Sequence, residues 1–334
     1  MTTTDHGLPF WACSELVAPD GDRPPRHRDG LLIDASSKPI ACIDNGVIRF
    51  TLEPNGAVEY YRAVGGAHFH ERSGVSCSMS ALDTPVYRNY LEKIAPSDRE
   101  ALIVDIGGGD GRNALPWLEW GYKRVVVVDP AAAALCRFRD RVAAQNRAWL
   151  DRILLIECDA RDLPLRTASA ELVLAIESLY YLNEDYELGI RECKRVMSPS
   201  GRLLLSDRDY EGALLTRLLY YGGIPAVLEM AASREMWDGE GARRVRSRCF
   251  TQGEMIAAVQ HEGLQVVEAY GISMFSLLVS FLSKQDPATA PVGVSIEKLN
   301  NLLCMLGREG SARRCNVLIL SHKLAKKIEP VLPE

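Results

Sequence analysis

Five apolar runs of strand length recur through the middle of the chain, and each carries an acidic residue at or near its carboxyl end. The runs are residues 103–106, 124–129, 153–157, 171–177 and 201–207. Short β-branched and aliphatic runs without polar alternation are typical of strands that are buried on both faces of a parallel sheet. Because the intervening segments are long enough for a helix, the pattern predicts an α/β fold.

The first run leads into a glycine-rich turn, Ile103-Val-Asp-Ile-Gly-Gly-Gly-Asp-Gly111. Gly107, Gly109 and Gly111 have no Cβ and can adopt positive φ, so a ligand can lie against the backbone where the strand turns into a helix. A nicotinamide dinucleotide fingerprint needs its third glycine three residues after the second, where this chain has Arg112. The turn therefore favours a nucleoside ligand of the S-adenosylmethionine type.

Carboxylates that follow the next two strands are candidates to bind such a nucleoside. Asp129 ends the second run 24 residues after Asp105, a normal length for one strand-helix-strand step. A carboxylate in that place can accept hydrogen bonds from both ribose hydroxyls, since the ligand crosses the carboxyl ends of the strands. Asp159 follows the third run, where an acceptor could meet the adenine amino group.

The glycine turn and the acidic strand ends closely resemble the class I S-adenosylmethionine-dependent methyltransferases, over residues 85–323. The resemblance implies a Rossmann-like, seven-stranded, mostly parallel sheet with helices on both faces. It implies a reversed C-terminal hairpin, which residues 263–269 and 314–322 would supply, and S-adenosylmethionine as the cofactor. By the same resemblance, the glycines approach the methionine part and Asp105 helps to organise its ammonium. The residues assigned to the cofactor in this way are Asp105, Gly107, Gly108, Gly109, Asp129, Pro130, Asp159, Ala160 and Glu177.

Composition and charge narrow the classes of partner and the cellular compartment that we expect. The 334 residues are 47% hydrophobic and 25% charged, which suits one large globular core with a smaller appendage. A formal net charge of −5 argues against a nucleic-acid binder, because phosphate affinity depends on clustered Lys and Arg. The chain has no secretory signal and no apolar run of about 18 residues, so we expect a cytoplasmic protein with a small-molecule partner and no membrane contact.

The beginning of the chain carries a second resemblance. Residues 28–33 and 39–50 look like the tail of the zinc-ribbon leader that precedes some bacterial methyltransferases. The cysteine pairs of that leader are missing, because residues 16–21 and 33–37 contain no cysteine. No C-x-x-C pair occurs among the nine cysteines of the chain, so we expect no metal site and no disulfide framework. We interpret the leader as a metal-free packing element, a small N-terminal β appendage; the alternative is an unrelated β unit.

The chain divides into three predicted parts. Residues 1–54 form the leader, residues 55–98 an N-terminal helical lid, and residues 99–334 the methyltransferase domain. An insertion at residues 208–250 is longer than the minimal fold needs and is expected to cover the substrate. Apolar periodicity within it predicts two helices, over residues 214–221 and 224–232.

The N-terminal lid carries one clear helix signal. Asp83 or Thr84 as the N-cap and Pro85 at the first helical position predict that a helix begins there.

Five residues are candidates for catalysis. His68 and His70 could act as a general base, since imidazole titrates near neutrality; the alternative is an ordinary strand with one wet face. Tyr180 and Tyr181 follow the fourth strand, where aromatic faces attract a sulfonium or an ammonium, and the alternative is core packing. Asp207, at the end of the fifth strand, is the remaining candidate base.

Two further segments allow two interpretations each. Arg244, Arg246 and Arg248 alternate and would share one face of a strand, where they could bind a carboxylate or phosphate or form a solvated edge. Residues 271–282 are apolar nearly all round, so they are buried core or the face of an oligomer such as a homodimer. We favour the core.

The sequence predicts a methyltransferase that acts on the oxygen, nitrogen or carbon of a small molecule, in specialised metabolism. One alternative is methylation of a macromolecule, either tRNA or protein. The other is a non-catalytic methyltransferase-like partner subunit, which would not need the set of cofactor residues that this chain retains.

Overall fold

One sheet of eleven strands is the central feature of the computed structural model, which describes residues 8–9, 11–18, 23–52, 56–64, 79–240, 243–285 and 296–322. Its strands follow the order β1-β2-β3-β4-β7-β6-β5-β8-β9-β13-β12, and β10 pairs with β11 in a separate hairpin. The strands are Arg26–Arg28 (β1), Leu31–Ile33 (β2), Pro39–Asp44 (β3), Val47–Phe50 (β4), Leu102–Ile106 (β5), Arg124–Val128 (β6), Ile153–Glu157 (β7), Ala170–Ile176 (β8), Met197–Arg208 (β9), Met236–Glu240 (β10), Arg243–Ser247 (β11), Leu264–Ser273 (β12) and Arg313–His322 (β13).

The five apolar runs form the parallel middle of this sheet, in the order β7-β6-β5-β8-β9. β13 then pairs antiparallel with β9, and β12 antiparallel with β13. Every residue of β5 is buried, as expected for a strand that is covered on both faces. The predicted Rossmann-like α/β fold with a reversed C-terminal hairpin is confirmed; the seven predicted strands are present, in a sheet that four further strands extend to eleven.

Helices cover both faces of the sheet and create two hydrophobic cores. Alternate residues of β5 enter different cores: Leu102, Val104 and Ile106 enter one, and Ile103 enters the other. None of the helices in the described ranges is long and apolar enough to cross a membrane. The α-helices are Ala12–Glu15 (α1), Gly56–Val64 (α2), Met79–Ile94 (α3), Leu115–Glu119 (α4), Ala132–Gln145 (α5), Tyr186–Val196 (α6), Tyr210–Tyr220 (α7), Gly223–Ser233 (α8), Gln252–His261 (α9), Met274–Gln285 (α10) and Ile296–Glu309 (α11).

The leader strands continue the central sheet. β1 to β4 form an antiparallel meander, and β4 pairs in parallel with β7, with Ile48 opposite Ile156. Ile48 is fully buried. The predicted small β appendage is therefore hydrogen bonded directly to a strand of the predicted cofactor-binding domain.

The start predicted for the N-terminal lid helix is wrong. α3 begins at Met79, and Pro85 lies inside it rather than at its first position. Proline in a helix interior costs about 3 kcal/mol. Burial of an apolar face compensates, because Val86, Tyr87 and Tyr90 on this helix are each at most 1% exposed.

The two helices predicted in the insertion are present as α7 and α8, followed by the β10-β11 hairpin. The preferred core assignment of residues 271–282 is only partly right. This segment ends β12 and continues into α10, on which Leu277 is buried while Phe275, Leu278 and Leu282 are exposed. The apolar pattern could not separate the two faces because both carry large hydrophobic side chains.

Candidate functional site

The glycine turn has the backbone that its sequence predicts. Gly107, Gly109 and Gly111 have φ values of 72°, 53° and 79°, a region that favours glycine. A Cβ on Gly107 would lie 2.3 Å from the Ser178 Cβ, and one on Gly111 would lie 2.2 Å from Phe138. A Cβ on Gly109 would instead meet only a carboxylate oxygen at 3.8 Å, so a ligand can approach the backbone there.

Asp105 points a carboxylate without a partner at this turn. The residue is 1% exposed, and neither of its carboxylate oxygens has a hydrogen-bond partner among the described residues. Burial raises the pKa of Asp105 to about 7, despite the nearby positive charge of Arg112. A buried carboxylate normally has a donor or a cation beside it. An ammonium group of a ligand would supply both.

Asp129 lies at the end of β6, across the turn from Asp105. Its Oδ2 accepts a hydrogen bond from the Gly109 N–H at 2.9 Å, and its Oδ1 accepts one from the Ala131 N–H at 2.8 Å. Burial raises its pKa to about 6. Each carboxylate oxygen keeps a second lone pair, so Asp129 can still accept ribose hydroxyls, and Pro130 beside it is partly exposed.

The predicted adenine residues lie after β7. The Asp159 carboxylate forms a bidentate pair with Arg161, whose Nε is 3.0 Å from Oδ1 and whose Nη2 is 2.6 Å from Oδ2. Ala160 is partly buried against the core. The sequence analysis did not foresee the Arg161 pair, and a role for Asp159 with adenine stays a prediction.

Glu177 follows β8 and sits in a buried network of charges. It has φ of 52°, and its carboxylate accepts two hydrogen bonds from Arg314, at 3.0 and 3.1 Å. Tyr87 donates a third at 3.0 Å, and Arg112 lies 3.7 Å away. Burial would raise the pKa of Glu177, but Arg314 and Arg112 outweigh it and hold the pKa far below its ordinary value.

The same network reaches the N-terminal lid. Nη2 of Arg314 also donates to Oδ2 of Asp83 on α3, at 2.6 Å. Sequence reasoning missed Arg112, Arg314 and Tyr87. The signal that could have found Arg314 is an arginine at the start of an otherwise apolar strand.

A second cluster joins the strand ends to the insertion. The Tyr181 hydroxyl donates to Asp238 of β10 at 2.8 Å, and Arg208 at the end of β9 donates to the same carboxylate oxygen at 2.6 Å. The Arg208 guanidinium lies 4.6 Å from the Tyr180 ring centre. Tyr61 of α2 packs edge-on against Tyr181, with ring centres 5.1 Å apart. Tyr180 is 2% exposed, whereas Tyr181 is half-buried.

Of the remaining catalytic candidates, the structure describes Asp207. Asp207 is fully buried, and its Oδ2 accepts a hydrogen bond from the Tyr186 hydroxyl at 2.5 Å. Its neighbour Ser206 contacts Tyr87 instead, because successive residues of a strand point to opposite faces. The structure therefore does not bring Asp207 to solvent; its side-chain partner is Tyr186, and its carboxylate also lies beside the Tyr180 backbone. His68 and His70 lie outside the described residues.

The arginines of the insertion are paired within the protein. Arg246 donates to Glu235 at 2.9 Å and to Glu184, and Arg248 lies 3.5 Å from Glu187. Arg244 is exposed above Trp237.

Residues 104–205 match a family model that is described as a methyltransferase domain. The chain is 30% identical over 174 residues to 27-O-demethylrifamycin SV methyltransferase of Amycolatopsis mediterranei, covering 52% of this chain and 57% of that protein. It is 24% identical over 190 residues to tRNA U34 carboxymethyltransferase of Methylococcus capsulatus, covering 56% and 55%. The chain thus spans little more than half the length of these relatives.

Among solved structures, the crystal structure of the 4+2 cyclase SpnF superposes with a TM-score of 0.53 at 14% identity. The match covers 81% of this chain and 98% of that one. At this identity the likeness shows the fold alone. The domain match confirms the family resemblance that the glycine turn and the acidic strand ends indicate.

Proposed function

We propose that this chain, which carries the methyltransferase domain of the class I S-adenosylmethionine-dependent family, transfers a methyl group from that cofactor to a small molecule. The printed name of the rifamycin relative indicates a small-molecule acceptor for that protein. The net charge of −5 also disfavours a polyanionic acceptor. The acceptor atom would be oxygen, nitrogen or carbon.

The observation that carries the proposal is the buried carboxylate of Asp105, with which no described residue forms a hydrogen bond, beside the open backbone of Gly109. The residues fit the cofactor: Asp105 would hold its ammonium, Asp129 its ribose, and Asp159 and Ala160 would border its adenine. The cofactor supplies an activated methyl group on a sulfonium, so the protein mainly has to bind, align and exclude water.

We place the acceptor beside the ends of β8 and β9, since ligands of such sheets cross the carboxyl ends of the strands. Tyr181 would line this space, and Tyr180 would support it from below. Residues 55–98 and the insertion at residues 208–250 would form its lids. His68 and His70 are proposed as general bases for a hydroxyl or carbon acceptor.

Titration with S-adenosylhomocysteine tests the cofactor assignment without requiring an acceptor. We expect Asp105→Asn and Asp129→Ala to weaken binding about tenfold or more each, because each removes a charge-assisted contact. The control is Asp98→Asn, since Asp98 is exposed.

Proton release gives the titration a second readout. The pKa of Asp105 is about 7 without a partner, and a bound ammonium lowers it, so wild type should release part of a proton on binding near neutral pH. The apparent binding enthalpy should then depend on the buffer, and this dependence should shrink in Asp105→Asn. Unchanged affinity in both variants would contradict the proposed function.

A relative named for a tRNA substrate keeps a macromolecular acceptor as the second candidate. Labelled S-adenosylmethionine, offered with separated small-molecule, tRNA and protein fractions, distinguishes the two. Label in the small-molecule fraction is expected, and label confined to tRNA or protein would overturn the acceptor class.

A further inference from the structure

Arg208 is the positive charge at the acceptor side of the strand ends that sequence reasoning overlooked. It is the last residue of β9, and it lies close enough to Glu177 to lower the pKa of that carboxylate. Its side chain is 16% exposed, so it is neither sealed in the core nor free in solvent.

The hydrogen bonds of Arg208 use one end of its guanidinium. Nη1 donates to Asp238 at 2.6 Å and to the Ser247 hydroxyl at 3.1 Å, and it lies 3.4 Å from the Met236 sulfur. Within the described ranges, Nη2 and Nε make no hydrogen bond, and neither belongs to the buried polar atoms that lack a partner. These two donors are therefore not used by any described residue.

Aromatic rings border the same guanidinium. Its carbon lies 4.6 Å from the centre of the Tyr180 ring and 5.9 Å from that of Tyr181. Tyr61 extends this surface from α2 by packing against Tyr181. The rings are tilted or edge-on to one another, and a cation over such an aromatic surface suits an acceptor that carries an acidic group on an aromatic body.

The negative charge opposite Arg208 comes from the insertion. Asp238 lies on β10, 30 residues along the chain from Arg208, and its side chain is 14% exposed. Asp238 also accepts the Tyr181 hydroxyl, so a single carboxylate joins the hairpin to both the arginine and the tyrosine. The hairpin thus presents to Arg208 the same chemical group that an acidic ligand would bring.

We propose that Arg208 anchors a carboxylate of the acceptor, and that Asp238 occupies this position until the acceptor carboxylate replaces it. The proposal rests on the proposed function and narrows its substrate class to aromatic or otherwise flat carboxylic acids. Arginine binds carboxylates through two parallel hydrogen bonds; Nη2 is not used by any described residue, and Nη1 becomes available when Asp238 leaves it.

Replacement of Asp238 by the acceptor carboxylate also explains why an acidic acceptor would be preferred over a neutral one. A neutral acceptor that displaced Asp238 would leave Arg208 as a buried, unpaired charge, whereas an acid keeps the pair intact. Replacement of Asp238 would release the β10-β11 hairpin from Arg208 and Tyr181. Binding of the acceptor carboxylate and release of the hairpin are then coupled through one carboxylate.

The test uses 4-hydroxybenzoate as the probe and 4-hydroxybenzamide as its neutral counterpart, each titrated by NMR into the full chain. Titrations run with and without saturating S-adenosylhomocysteine. Wild type should bind the acid about tenfold or more tightly than the amide. Equal binding of the two probes, or no binding of the acid, would overturn the proposal.

Two variants locate the contact. Arg208→Gln should abolish the preference for the acid, and Asp238→Asn should strengthen binding of the acid because the competing carboxylate is gone. Arg246→Gln is the matched control, since Arg246 lies on the same hairpin but pairs with Glu184 and Glu235. It should keep the wild-type preference.

A charge-conserving variant and a folding check separate loss of the Arg208 contact from misfolding. Arg208→Lys keeps the charge and should retain part of the preference, and circular dichroism checks that each variant is folded. A preference that survives in Arg208→Gln, or an affinity for the acid that falls in Asp238→Asn, contradicts the proposal. Failure of the wild-type protein to bind S-adenosylhomocysteine would instead contradict the proposed function. Failure of the carboxylate anchor and failure of the proposed function are therefore distinguishable.

Discussion

The carboxylate of Asp207 lies wholly inside the protein, where the Tyr186 hydroxyl is the one side-chain donor to it among the described residues. Burial raises its pKa from 3.8 to about 8, although Tyr186 acts in the opposite direction. A carboxyl with such a pKa is mostly protonated in the folded protein at neutral pH. Its place at a strand end made it a candidate catalytic base, and that role stays a prediction; in the structure it is a buried group that is hydrogen bonded to Tyr186.

Asp207→Asn should change how stability depends on pH. The unfolded chain ionises Asp207 near pH 4 and the folded chain near pH 8, so its burial costs more stability as the pH rises between these values. Asparagine cannot ionise, so the variant should gain stability relative to wild type from pH 5 to pH 8. Urea unfolding across this range measures the difference.

The exposed Asp140 offers the control for this prediction, because its side chain is 77% exposed. Asp140→Asn should follow the wild-type curve. If Asp207→Asn runs parallel to wild type at all pH values, the carboxyl is not ionised on unfolding as inferred. Asp105 and Asp129 also have raised pKa values, but both residues are present in wild type and in Asp207→Asn. Their contributions therefore cancel in the difference between the two stability curves.

At the scale of elements, α3 is fixed to the strand ends by charge. Arg314 at the start of β13 binds Asp83 on α3 and Glu177 after β8, and the Arg314 side chain is only 11% exposed. The helix that was predicted to be part of a lid is therefore held at the cofactor side of the sheet by a buried ion-pair network.

Arg314→Ala should destabilise the protein by about 3 to 5 kcal/mol, because it removes the arginine partner of the buried Asp83 and two of the hydrogen bonds to Glu177. Combining it with Asp83→Asn should recover part of this loss, since one of the uncompensated charges is removed. Chemical denaturation measures both. Arg308→Ala is the control on exposed α11 surface, and a loss for Arg314→Ala no larger than for this control would contradict the network's role.

At the scale of the molecule, the leader and the methyltransferase domain share one sheet. Glu157 at the end of β7 is 1% exposed and pairs with Arg49 of β4 at 2.7 Å and with Arg62 of α2 at 2.8 Å. It directly precedes the segment that is predicted to border adenine. We propose that the leader is a structural part of the domain, whatever its origin, and that it protects the β7 edge.

Ile48→Ala tests this proposal, because Ile48 is fully buried at the junction of β4 and β7. The variant should lower the free energy of unfolding of the whole protein by about 2 to 5 kcal/mol, in a single transition. Cys42→Ala, at an exposed position of β3, should change it little. Two separate transitions, with only the first one shifted, would show that the leader folds independently.

The local pattern of the sequence was sufficient for the strands, the glycine turn and the helices of the insertion. Unbroken apolar runs predict buried strands. The glycine pattern predicts a turn with positive φ, and at Gly107 and Gly111 the structure has positive φ and close contacts that exclude a Cβ. The positions of the Asp105 and Asp129 carboxylates were also predictable, because parallel strands bring their carboxyl ends to one edge of the sheet.

Partners that are distant in the chain were beyond the local pattern. Arg314 and Glu177 are 137 residues apart, and Arg49 and Glu157 are 108 apart, so only the packed sheet brings them together. Periodicity tells which positions are apolar, but not which buried charge meets which. For the same reason, the local pattern could not predict the Arg208–Asp238 pair, the inward orientation of the Asp207 side chain or the pairing of the leader with β7. Sequence by itself determined the fold and the cofactor class, and tertiary structure decided which charged side chains pair with one another, because that choice depends on long-range contacts.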